Sequence, residues 1–240
     1  MRAARVLLVA SLSVMVAAAS VSCTGERVRG SGKVVTKDVA VPSFSRLQVS
    51  WGFEVTVAVG QPSLKLRIDD NLDRYLDVGV EGDTLRIGLP RASSVSDATL
   101  QATVTAPSLA QLQGSGSSRI HLQEGLAGDQ LRVELSGASR LDGPVDLGSA
   151  TTTLSGASQV ELSGRAGSLN ASASGASHLL LQQLQVDALE VSLSGASNAE
   201  VTVQRTISAS LSGASSLRYR GSPTFTRQDV SGGSSVTRVA

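Results

Sequence analysis

One short string governs what this chain can fold into. Leu-Ser-Gly-Ala-Ser stands at Leu135–Ser139, Leu154–Ser158, Leu193–Ser197 and Leu211–Ser215, with a variant at Ala173–Ser177 and weaker copies at Gly114–Ser118 and Val230–Ser234. The central glycines (Gly116, Gly137, Gly156, Gly175, Gly195, Gly213 and Gly232) are spaced 21, 19, 19, 20, 18 and 19 residues apart. A near-constant period is the mark of a repeat architecture, in which no unit buries its apolar face alone and stacking supplies the partner.

Inside each repeat hydrophobicity alternates with period two, which is strand patterning. The fourth residue after each glycine is Ile120, Leu141, Val160, Leu179, Ala199, Leu217 or Val236, and the sixth is Leu122, Gly143, Leu162, Leu181, Val201, Tyr219 or Arg238. A second set precedes the next glycine: Leu131/Val133/Leu135, Ala150/Thr152/Leu154, Leu169/Ala171/Ala173, Leu189/Val191/Leu193 and Ile207/Ala209/Leu211. Five apolar columns in register predict an all-β fold, a parallel β-helix with turns of about 19 residues and a rise of ~4.8 Å per turn. The crossover rule makes it right-handed. A propeller blade needs about twice this repeat length. Aliphatic columns in a narrow interior also account for an aromatic content of only 2%.

The glycine suits a corner needing positive φ or close approach of the neighbouring turn. The serines beside it are expected to form external ladders. The segments between the sixth-residue column and the next strand vary in length, as from Leu122 to Leu131 and from Val201 to Ile207, and are expected to be loops on one side. Polar residues enter the inward places of the last turn, read as Thr226, Gln228, Val230, Val236 and Arg238. That is what a capped end should show.

The N-terminus begins Met1-Arg2-Ala3-Ala4-Arg5, continues as a mostly apolar run of 16 residues from Val6 to Val21, and reaches Ser22-Cys23. This is secretory-signal patterning, and the run is shorter than the ~20 residues a spanning helix needs. Cys23 is the only cysteine, so no intramolecular disulfide is available. Its place after the apolar run makes it the expected lipid acceptor, carrying diacylglycerol and palmitate once residues 1–22 are removed. Val21 and Ser22 suit a lipobox, while Ser20 stands where leucine is favoured. Thr24-Gly25 lack the aspartate of inner-membrane retention, which favours the outer membrane. Loss of Arg2 and Arg5 would leave 19 basic against 20 acidic residues. Bulk charge therefore attracts neither nucleic acid nor an anionic membrane.

The expected organisation is a lipoprotein-type signal peptide over 1–22, a tether over 23–32 and one β-helix domain over 33–240. Residues 33–110 form its irregular first turns, and 111–240 its Ser-Gly-Ala-Ser repeats with a polar last turn. A separate small β-sandwich over 31–110 is the other arrangement the alternation allows.

Several stretches then resemble a known family. They are Phe44–Ser50, Val55-Thr-Val57, Asp69-Asp-Asn-Leu72, Gly82–Ile87, Pro107-Ser-Leu109, Gly114–Ser118 and the repeated Ser-Gly-Ala-Ser. The chain resembles the head GIN domain family, also called the putative auto-transporter adhesin head domain, a domain of unknown function. The likeness runs over roughly residues 40–225. It implies a bacterial envelope β-helix, often on lipoproteins, and brings no site residues with it.

Few residues suggest chemistry. Asp69, Asn71 and Asp73 occupy oxygen-ligand positions of a calcium loop, but Arg74 replaces the required glycine and Val80 the last glutamate. A solvated turn is expected there. The repeated corner carries no carboxylate, which argues against repeat-borne calcium. His121 and Ser177-His178 are expected outside, without the acid partner a triad needs. Asp142, Asp146 and Glu161, with Arg140 and Arg165, are expected on adjacent turns and are the best candidates for a carbohydrate-active enzyme. Trp51 and Phe53, read as one face of an early strand, are expected to fill or cap the core. The reading is therefore a non-enzymatic envelope lipoprotein, without cofactor or metal, presenting a rigid coil to a glycan or envelope protein. A carbohydrate-active enzyme and a structural or regulatory assembly protein are the alternatives.

Overall fold

A computed structural model describes residues 26–90 and 92–239. The expected signal peptide and Cys23 lie outside the described residues. The strands of the first part are β1 (Glu26–Arg29), β2 (Val34–Val39), β3 (Arg46–Val49), β4 (Glu54–Val59), β5 (Ser63–Asp69), β6 (Asp77–Glu81), β7 (Thr84–Gly88), β8 (Ala92–Ser96) and β9 (Leu100–Ala106). Those of the repeats are β10 (Gln111–Gly114), β11 (Arg119–Leu122), β12 (Leu126–Leu135), β13 (Arg140–Leu154), β14 (Gln159–Ala173), β15 (His178–Leu193), β16 (Asn198–Leu211), β17 (Ser216–Arg220), β18 (Thr224–Val230) and β19 (Ser235–Arg238). Among them, β2–β7 and β9–β19 join one continuous hydrogen-bonded system, while β1 pairs with β8 apart from it.

The repeats form a parallel β-solenoid with turns of about 19 residues. Leu141, Val160, Leu179, Ala199 and Leu217 follow one another in register, and so do Ala150, Leu169, Leu189 and Ile207. All are buried. Each buried leucine contributes roughly 1.5–3 kcal/mol, which a single turn could not collect without its neighbours.

Apart from a short break at residues 123–125, the segments expected as loops are instead strand, and they make a third face. Leu126, Val145, Leu147, Ala166, Leu184, Val186 and Val203 point inward there. Their unequal spacing is absorbed by irregularities in register between Glu161 and Gly164, and between Leu181 and Gln185. Extra residues are bulged out while the inward phase is kept.

The corners explain the repeated string. Gly175 has φ +76°, and a Cβ on it would lie 2.5 Å from the carbonyl oxygen of Gly156. That oxygen accepts a 2.8 Å hydrogen bond from Ala176 N. Both the left-handed backbone and the close approach of the next turn thus require glycine. Only one of the two corner serines is external. Ser118, Ser139, Ser158, Ser177, Ser197 and Ser215 are fully buried, and each hydroxyl donates to the carbonyl three residues earlier, as Ser158 Oγ does to Ser155 O at 2.8 Å. This closes the corner and satisfies a polar group that burial would otherwise penalise.

The first part departs from chain order. β3 and β4 pair with β10 and β11 on one side, and with β7 and β9 on the other. Later residues thus lie outside the turn made by earlier ones. Antiparallel β5, β2 and β6 complete that end. Residues 26–29, expected as tether, are β1, whose Val28 is buried. At the other end a register shift puts Phe225, not Thr226, in line with Ile207. Tyr219 and Phe225 meet edge to face at 5.4 Å, so aromatic rings close the last columns along with the expected polar residues.

Candidate binding surface

One outer face carries hydroxyls in register over many turns. Thr153, Ser172, Ser192 and Ser210 succeed one another on β13, β14, β15 and β16. Two residues along the chain run the external corner serines, Ser136, Ser155, Ser174, Ser194 and Ser212. The paired columns line a shallow groove along the coil, in two continuous stretches of about 310 and 250 Å³ that share Thr153. Alternation puts the branched aliphatics inside, so every second residue is free to be polar; here that residue is short. The hydroxyls of Ser172, Ser192 and Ser210 make no side-chain hydrogen bond among the described residues.

The groove is almost uncharged. Its one carboxylate, Glu134, accepts hydrogen bonds from Gln113 Nε2 at 2.6 Å and Arg132 Nε at 2.5 Å. These, the Gln113 bond first, hold its carboxyl below the usual range.

The candidate enzymatic carboxylates divide between two places. Asp142 and Glu161 are neighbours in register and line an open cleft of about 390 Å³ with Arg140, Gln182 and Gln183. Asp142 is engaged by His121 Nδ1 at 2.5 Å, and Arg140 donates to Gln159. Asp146 is not part of this cleft and is paired instead with Arg165 at 2.7 Å. No aromatic side chain lines the cleft. His178 is exposed on the coil, whereas the adjacent Ser177 hydroxyl points inward and donates to Ser174 O at 2.9 Å.

The calcium-like stretch is a short 3-10 turn on which Asn71, Asp73 and Arg74 are exposed, as expected. Asp69 departs from that expectation as a buried staple. Asp69 is buried and accepts from the backbone N–H groups of Gly32 and Thr99, each at 2.6 Å. Asp70 accepts from Ser31 Oγ, which lowers its pKa. Among the described residues no three His, Cys, Asp or Glu side chains converge on a common point.

Trp51 and Phe53 are not strand partners. They belong to the corner between β3 and β4, where Phe53 is fully buried and Trp51, with φ +65°, is partly buried against the core. The hydrogen bond from Arg119 N to Phe53 O repeats the one from Arg140 N to Ser118 O. Phe53 therefore fills the place of the inward serine, and Trp51 that of the corner glycine. Because this corner lacks the repeated string, sequence reading did not align it with the others.

A family model described as "Putative auto-transporter adhesin, head GIN domain" matches residues 43–223. No curated protein matches the chain. A solved structure described as a putative adhesin from Bacteroides fragilis NCTC 9343 is 22% identical, over 88% of this chain and 100% of that one, with a TM-score of 0.82. Another described as a putative adhesin, from Parabacteroides distasonis ATCC 8503, is 20% identical over 89% and 100%, at TM-score 0.73. A third, described as a putative lipid binding protein from the same strain, is 19% identical over 90% and 100%, at TM-score 0.69. At these identities the three establish a shared fold.

Proposed function

The chain belongs to the head GIN domain family, and from that premise we propose that it is a non-enzymatic adhesion module that holds a neutral glycan along its hydroxyl groove. The observation that carries this reading is the double column of short hydroxyl side chains repeating once per turn. Of these, Ser172, Ser192 and Ser210 make no side-chain hydrogen bond among the described residues, while Ser174 Oγ donates weakly to Leu154 O at 3.4 Å. A polymer whose own polar groups recur along its length can meet such a surface at many weak points, and each added turn adds contact without any single strong site. The name adhesin on the structural relatives agrees with it.

The module is delivered, in this reading, by the signal in residues 1–22 and held to the outer membrane by lipid on Cys23. Near-neutral charge leaves nucleic acid without an electrostatic footing. The test is an array of neutral oligosaccharides probed with the parent protein, with the doubly substituted Ser172→Glu, Ser192→Glu, and with Gln159→Glu, whose new carboxylate meets Arg140 on another face. Binding by the parent and by Gln159→Glu, reduced tenfold or more in the double variant, is expected. Equal binding by all three would remove the groove from the account.

The side-by-side Asp142 and Glu161 carboxylates support a second reading, a carbohydrate-active enzyme at the open cleft. Release of reducing ends from the same oligosaccharides, abolished by Asp142→Asn or Glu161→Gln, would establish it in place of the first.

A further inference from the structure

At its N-terminal end the hydroxyl groove borders another cavity. Ser115 lines both spaces. The new cavity, of about 520 Å³, is walled by the Trp51 indole, Val95 and the serines 50, 94 and 117. It therefore has an apolar wall and a rim of hydroxyls, and none of its lining residues is charged. Small-molecule sites combine apolar walls with a few placed polar groups in this way.

Trp51 stands there against the preference of the backbone. Its nitrogen lies 3.2 Å from where Gly116 would carry a Cβ, just as the nitrogen of Gly137 lies 3.2 Å from the Cβ position of Gly156. It thus holds the corner place that later turns give to glycine. Its φ of 65° is a region that bulky side chains rarely enter. The corner itself needs no indole, since glycine makes the equivalent turn at Gly137, Gly156 and Gly175.

We propose that this cavity is a sugar subsite, in which Trp51 stacks on the C–H face of one uncharged pyranose ring at the end of a glycan lying in the groove. The inference rests on the groove reading and deepens it by naming the ring chemistry and the residue that reads it. A pyranose presents an apolar face of C–H bonds and an edge of hydroxyls, which matches an indole wall and a serine rim. Uronic or sulfated sugars gain nothing here, because no cation lines the space.

Trp51 is the only tryptophan of the chain, so its emission reports on this cavity alone. The experiment titrates the purified protein with neutral cello-, laminari-, xylo- and chito-oligosaccharides, with sorbitol as control. Fluorescence and calorimetry are recorded together, and calorimetry is repeated on Trp51→Gly. The expected result is a saturable emission change with at least one oligosaccharide, and affinity at least tenfold weaker in Trp51→Gly. A parent that binds while Trp51→Gly binds equally well overturns the subsite and leaves the groove standing. A parent that binds none of the four overturns the groove reading and the subsite with it. If Trp51→Gly fails to fold, the unmodified protein decides: binding seen by calorimetry without any change in emission overturns the proposal.

Discussion

Alanine at Gly175 separates two demands that the corner makes at once. The backbone there has φ +76°, and the new methyl would sit 2.5 Å from Gly156 O. The left-handed conformation costs a residue with a Cβ roughly 1–2 kcal/mol. Relieving the clash requires that carbonyl to withdraw, which gives up its 2.8 Å hydrogen bond from Ala176 N, worth about 1 kcal/mol. The stiffer unfolded chain offsets ~0.4–1 kcal/mol of this, so the net loss is about 1–3 kcal/mol. Two other glycines isolate the parts. Gly82 has φ +61° and nothing within 4 Å of its Cβ position, whereas Gly128 has neither a positive φ nor a neighbour that close. Gly82→Ala should cost no more than ~1–1.5 kcal/mol, and Gly128→Ala should be neutral or stabilise by up to ~1 kcal/mol. Urea denaturation followed by far-UV circular dichroism ranks the three. If Gly175→Ala melts with Gly82→Ala, close stacking of the corners is not what requires glycine.

Ser158→Ala, which deletes a buried hydroxyl bonded to Ser155 O, should cost about 1 kcal/mol, while Ser155→Ala should stay within ~0.5 kcal/mol; equal effects in a denaturation series would contradict the inward placement. Leu193→Asp puts an unpaired charge among buried aliphatics and should abolish folding, visible as loss of the β spectrum; a parent-like melt would refute the column. Acid should also destabilise the protein. Asp83, whose pKa is lowered chiefly by the hydrogen bond from Ser45, and Glu134, lowered chiefly by Gln113, have folded values below their unfolded ones. Their contribution is complete above the unfolded carboxylate values near ~4 and is lost as pH falls through the folded values. Thermal midpoints at pH 6 and pH 3 check the sign, and an unchanged or higher midpoint at pH 3 would reverse it.

The coil was legible because glycine and leucine fall at fixed phase from turn to turn. Its third face was not. Val145/Leu147, Leu184/Val186 and Val203 lie at changing distances from the corner, and bulges restore a phase that spacing alone hides. The inward serines could have been read: Ser139 and Ser158 lie two residues after their glycines, in the same parity as the inward Leu141 and Val160. Polarity argued for solvent, and the bond to the carbonyl three residues back outweighed it. The outward Thr153-Ser172-Ser192-Ser210 column emerges only once register sets those residues side by side. Nothing local foretells that β7 and β9 lie beyond β3 and β4, because that order depends on pairings between residues far apart in the chain.

The proposal that the coil acts as an adhesin, held outside the cell by lipid at Cys23, is tested most directly by protease shaving of intact cells carrying the parent or Cys23→Ser. The account predicts that the parent is digested on whole cells and that Cys23→Ser is released from the membrane fraction. A parent protected until the envelope is broken would contradict surface display. A Cys23→Ser chain that stays in the membrane would contradict the anchor.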